Sequence, residues 1–167
     1  MIYPANFESK IGFDRIRALV AERCNTQAAI AKLGEHQFSS RRAEVENRIA
    51  SADEMRTIVM MESEFPNEEF CDLTALIAKV RVEGTFLDLE EAVLLARALH
   101  QVDSVSRFIL SRERALYPLL YKLPEGVISL EAIANHIDSL IDRFGQMRDS
   151  ASDELYRIRR SIREREG

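Results

Sequence analysis

From Leu89 to Ile109 the chain keeps one apolar stripe, formed by Leu89, Ala92, Val93, Ala96, Leu99, Val102, Val105 and Ile109. At helical spacing this stripe lasts for about six turns. Neither Gly nor Pro falls between Asp88 and Pro118. Asp88-x-x-Glu91 opens the segment as a capping box, in which each side chain reaches a backbone amide that helix geometry leaves unpaired. A stripe this long needs another element to cover it, so it sets the class of fold. The rest of the chain agrees: Gly and Pro together are 10 of 167 residues, too few for a β-sandwich with a turn every 8–12 residues. The expectation is an all-α fold, a multi-helix bundle of antiparallel helices.

Other segments show the same period. Asn6–Lys10 reads as a short helix or turn broken near Gly12, followed by a helix over Phe13–Cys24 with Phe13, Ile16, Leu19 and Val20 on one face. Asn25-Thr26 restarts a helix that Gly34 stops. Ser39–Met61 reads as a long helix capped by Ser39 or Ser40, with Val45, Ile49, Ala52, Met55 and Val59 as its inner stripe. The acidic stretch Glu62–Asp72 reads as a solvated loop. Asp72 is placed as the cap of a helix over Leu73–Val82, ended by Gly84. Tyr117–Leu123 reads as a short helical piece. Ser129 caps a helix that carries Leu130, Ile133, Ala134, Ile137, Leu140 and Ile141, with Ile128 and Ile133 placed as a staple and Gly145 as the stop. Strand signals are thin, with Val80–Val82 and Gln146–Arg148 the two short stretches that could pair.

The last segment, Ser152–Glu166, differs. Its apolar residues are Leu155, Ile158 and Ile162, a narrow seam in a charged helix. Nothing caps its end, and a lone seam helix of this length is marginal. The expectation is therefore that the natural chain continues into a longer lever helix. On this reading residues 1–144 form a helical core/lever domain and 145–167 the start of the lever.

Charge and chemistry narrow the function. With 46% apolar and 31% charged residues, the chain is neither disordered nor membrane-embedded. No window approaches the length of a membrane span, and no signal peptide opens the chain, which places it in the cytoplasm. The net charge is −5, which argues against a whole-surface nucleic-acid binder. Residues 143–167, however, carry 7 basic and 5 acidic side chains. Arg157, Arg160 and Arg163 recur at spacings of three, a stripe that can meet phosphates or serve as a charged packing surface, with interleaved acids favouring the second reading. Cys24 and Cys71 are far apart and in no metal-binding pattern, as expected of reduced thiols. His100 and Asp103 share a helical face, but two ligands do not make a metal site. No phosphate-cradling glycine loop and no nucleophile elbow occurs. The residues show no catalytic, cofactor or metal site.

The run from Asp142 to Glu166 resembles the segment of MutS-type proteins that enters their long lever helices. Asp149-Ser-Ala-Ser152 leads to Leu155, Ile158 and Arg159 as in that family's pattern Asp-x-Ala-Ser-x-x-Leu-x-x-Ile-Arg. Phe13-Asp14-x-Ile16, Leu19-x-Ala21 and the run Leu87–Leu99 are similar to the second bacterial MutS paralogue. None of the eight Phe residues has Glu two positions later, so the Phe-x-Glu of a mismatch reader is absent, as in that paralogue. The resemblance implies an amino-terminal core/lever piece of an ATP-driven homodimer. Such a protein binds branched DNA and suppresses recombination, with nuclease activity in an Smr domain, or engages stalled ribosomes. ATP and Mg would belong to an ATPase domain beyond this piece. Its immediate partners would be the clamp and ATPase domains of the same chain, with no membrane. Gly145 is the candidate hinge. The competing class is a stand-alone helical interaction module.

Overall fold

The computed structural model describes residues 6–62, 64–66, 70–127, 130–142 and 144–166. It is all-α. The helices are α1 (Phe7–Lys10), α2 (Phe13–Ala21), α3 (Gln27–Glu35), α4 (Arg42–Met61), α5 (Thr74–Val80), α6 (Leu89–Leu110), α7 (Glu131–Leu140) and α8 (Asp153–Glu166). Two 3-10 turns, Leu120–Lys122 and Asp149–Ala151, complete the described elements. The one isolated bridge among the described residues joins Ile141 to Met147, so residues 146–148 pair with the end of α7 and not with 80–82. None of the described helices is long and apolar enough to cross a membrane.

The helices sort into two compact units. Unit 1 gathers the residues up to Asp72 with Phe108–Glu125; unit 2 gathers Leu73–Arg107 with the residues from Gly126 onward. A lever is defined by motion and a unit by contact. The stretch from residue 145 onward, expected as a lever, belongs to unit 2 by contact.

In unit 1, α4 packs against the segment that carries the first 3-10 turn. Ile58 is fully enclosed, and Phe108, Tyr117 and Leu120 are buried. Phe65 meets Phe108 edge to face at 5.3 Å. The Glu54 carboxylate accepts from the backbone amides of Leu119 (3.1 Å) and Leu120 (2.8 Å), which ties this segment to α4. Glu62 is not the solvated acid expected from its loop. It pairs with Arg112 at 3.3 Å and accepts from the Tyr117 hydroxyl at 3.4 Å. Beside that carboxylate, Tyr117 is pushed above its ordinary value, first by burial and then by the Glu62 charge. In α2, Arg17 is the anchor, pairing with Glu8 and donating to the carbonyls of Leu33 and His36.

Several local expectations change. Asp72 does not cap α5; its carboxylate accepts from the amide of Ala28. Ser39 does not cap α4 either. The helix starts at Arg42, and the Ser39 hydroxyl accepts from Arg41 N and donates to Glu44. Gly34 lies inside α3, which Thr26 caps through the amide of Ala29. The inner faces expected of α2 and α4 are bare: Ile16, Leu19, Ile49 and Val59 are all more than half exposed. On α4 the more enclosed side runs through half-buried Ser51, Glu54 and Met55 to fully buried Ile58; it shares Met55 with the expected stripe and is centred roughly a third of a turn away from it. The Ser129 cap and its Ile128 staple fall outside the described residues.

Unit 2 is held by α6. Its capping box forms as expected, with Glu91 N donating to Asp88 at 2.8 Å and Asp88 N to Glu91 at 2.9 Å. The same Glu91 carboxylate accepts from Lys79 of α5, and its value is lowered chiefly by that bond and then by the Asp88 amide. Two ties join α6 to α7: Arg107 with Glu131 at 2.9 Å and His100 with Asp138 at 2.7 Å.

Candidate functional site

The described residues between Ile141 and Arg163 form a densely bonded polar feature of unit 2. α7 ends at Leu140, and the chain turns back so that Asp142 N donates to the Gln146 carbonyl at 2.8 Å. Asp142 organises this turn: its carboxylate accepts from the amides of Phe144 (2.8 Å) and Gln146 (2.9 Å). Gly145 sits in it with φ +74°, a left-handed conformation that costs an L residue about 1–2 kcal/mol. A Cβ built on Gly145 would lie 4.0 Å from a Val93 methyl, so space does not forbid a side chain and the dihedral alone requires glycine.

Two adjacent residues then face opposite ways. Arg148 closes α7: its Nε donates to the carbonyls of Ile141 (3.0 Å) and Asp138 (3.2 Å), groups that a helix end leaves unpaired. Asp149 reaches α8. Its Oδ1 accepts from Arg159 Nη1 at 2.5 Å, and its Oδ2 accepts from Arg163 Nη2. Arg159 Nη1 also donates to the Met147 carbonyl at 3.0 Å. These bonds hold the Asp149 carboxyl below its ordinary value, Arg159 contributing most and Arg163 next. Ser152 caps α8 by accepting from Leu155 N at 3.1 Å.

The Arg stripe is therefore not uniform. Arg163 is engaged by Asp149, and Arg160 pairs with Glu164 at 2.8 Å. Arg157 has no ion pair among the described residues. The spacing of three missed the pairing that matters locally. Arg159 and Arg163 are four apart and share one acceptor, which lies across a turn where no helical periodicity points. His100 and Asp103 do not act together: His100 turns to Asp138 and Asp103 to Arg107.

The geometry so far is a turn that welds two helices through side chains of opposite sign, and its residues are those of the Asp-x-Ala-Ser pattern. The chain is 26% identical over 154 residues to the endonuclease MutS2 of Aquifex aeolicus, covering 92% of this chain and 20% of that protein. Over most of its length the chain is similar to MutS2 proteins. It is 28% identical over 158 residues to the endonuclease MutS2 of Gemmatimonas aurantiaca, and 23% identical over 157 residues to the putative endonuclease MutS2 of Bacillus subtilis, each covering 93% of this chain. It spans about 20% of the length of these MutS2 relatives. No family model matches, and no solved structure matches.

Proposed function

We propose that this chain serves as a non-catalytic core/lever element of a larger MutS-like ATPase, transmitting nucleotide-driven movement to a clamp. The Asp149 weld at the root of α8 is the observation that carries the reading. Stiffness on both sides of a joint is what a lever requires, and here the turn is bonded to α7 through Arg148 and to α8 through Asp149. In the intact cytoplasmic homodimer, ATP and Mg would act in a separate domain, and endonuclease activity in another. Branched DNA and the suppression of recombination would be the context, or the stalled ribosome. In this picture Gly145 is the hinge. In the full-length protein Gly145→Ala would lower nucleotide-dependent clamp release, and release at the wild-type rate would remove the hinge.

Contact of α8 with phosphates has its own test. Arg157, the stripe member without an acidic partner among the described residues, would contribute more than Arg160 or Arg163. Replacing it with Ala would flatten the salt dependence of binding to branched DNA or ribosomal RNA by about one phosphate contact. An unchanged slope would make the stripe a packing surface. A second reading, a stand-alone helical interaction module, is favoured by the exposed apolar faces of α2 and α4. A folded, monomeric full-length product ending near residue 167 would select it.

A further inference from the structure

α8 is attached to its unit by polar bonds more than by its seam. Ile158 is 50% exposed and Ile162 48%, leaving Leu155 as the one half-buried member of the apolar line. The helix packs on the 3-10 turn Asp149–Ala151, and that turn packs on α7. The connecting bonds run in series: α7 carbonyls to Arg148, then the adjacent Asp149 to Arg159 and Arg163. Two guanidinium groups one helical turn apart can both reach a single carboxylate only when one face of α8 is turned toward it. Few apolar contacts resist rotation, and among the described residues the other bond from α8 back across the turn is Arg159 Nη1 to the Met147 carbonyl at 3.0 Å.

We infer that Asp149 is a positioning residue that sets the direction in which α8 leaves the turn, a latch that opens when one carboxylate is neutralised while the helix itself stays formed. Ser152 still caps α8 when the latch is open, because its bond to Leu155 N does not involve Asp149. The Arg160–Glu164 pair lies within the helix and is likewise independent. Freed of Asp149, α8 keeps the Arg159 bond to the Met147 carbonyl but loses the double anchor on Asp149, and it swings about residues 151–152. The use of such a swing rests on the lever reading above; the latch itself is a property of this chain and is tested without nucleotide, clamp or DNA.

The test measures direction. In the 167-residue chain with Cys24→Ser and Cys71→Ser, spin labels are placed through Asn135→Cys on α7 and Ser161→Cys on α8, both exposed. Pulsed electron–electron dipolar spectroscopy then gives the distance distribution. The parent gives a single narrow distribution. D149N broadens it by roughly twofold at unchanged far-UV helicity. Adding Arg163→Gln to D149N widens it no further, because Arg163 and Asp149 act as one pair, while Arg159 keeps its bond to the Met147 carbonyl in both variants. E154Q, at an acid with no ion pair among the described residues, leaves the parent distribution intact. The latch is overturned if D149N matches the parent, if its broadening comes with lost helicity, if the added Arg163 change widens it again, or if E154Q broadens it as much. A failed lever with an intact latch would show the D149N effect here and no change in clamp release in the full-length protein.

Discussion

α4 and α6 are the two long helices of this protein, 20 and 22 residues. Each was marked in the sequence by an apolar stripe, and they used it differently. On α6 part of the stripe is buried, with Ala96 and Ile109 enclosed. Ala98, Gln101 and Phe108 are enclosed beside it, while Val102 is 47% exposed. On α4 the stripe stays largely in solvent, and Ile58 on another face is the fully buried residue. The difference teaches that periodicity reports helix more reliably than it reports which side faces inward. On α6 the four steps of three from Val93 to Val105 drift by about 60° each at 100° per residue, so that stripe winds off one side; on α4 the mixed steps of four and three hold one face, and that face still lies largely in solvent.

The strongest way to break this comparison is on α4. Ile58→Ala should destabilise the chain by about 2–4 kcal/mol, because it opens a cavity at a fully enclosed site. Ile49→Ala, at 64% exposure, should cost under about 0.5 kcal/mol. Urea unfolding of the pair reads both, and equal losses would restore the stripe as the inner face.

Next in size is Glu54→Ala. It leaves the amides of Leu119 and Leu120 without their acceptor and should cost about 1–3 kcal/mol. Exchange protection at those two amides should fall with it; protection unchanged from wild type would show that Glu54 is not their partner.

On α6 the expected effect is smaller. Asp88→Ala removes one half of the capping box and should cost about 1 kcal/mol by the same urea measurement. A loss as large as that of Ile58→Ala would mean that α6 depends on its cap more than on its packing.

The smallest effect is in pH. The Glu91 carboxyl is lowered in the folded chain by Lys79 and the Asp88 amide. A lowered carboxyl stabilises above its unfolded value, and that contribution is lost as pH falls through the folded value. Glu91→Gln keeps an acceptor for the capping box and loses the charge. The stability gap between wild type and Glu91→Gln should therefore be present at neutral pH and close on acidification below the ordinary glutamate range. A gap independent of pH would assign the effect to packing.

By itself the sequence determined the helical class, the positions of most helices, the capping box at Asp88 and Glu91, the Ser152 start of α8 and the resemblance that the MutS2 relatives bear out. These rest on neighbours three or four residues apart, and such contacts are settled by local geometry. Only the tertiary structure decided the rest. It turned α4 to bury Ile58 in place of Ile49, took Asp72 from α5 to the amide of Ala28, and gave Glu62 to Arg112 and Tyr117. It also brought Asp149 onto Arg159 and Arg163 across a turn. In each case a charged or apolar side chain had several partners open to it along the chain. The choice was made by which segment the fold carried within reach, and no spacing in the sequence encodes that distance.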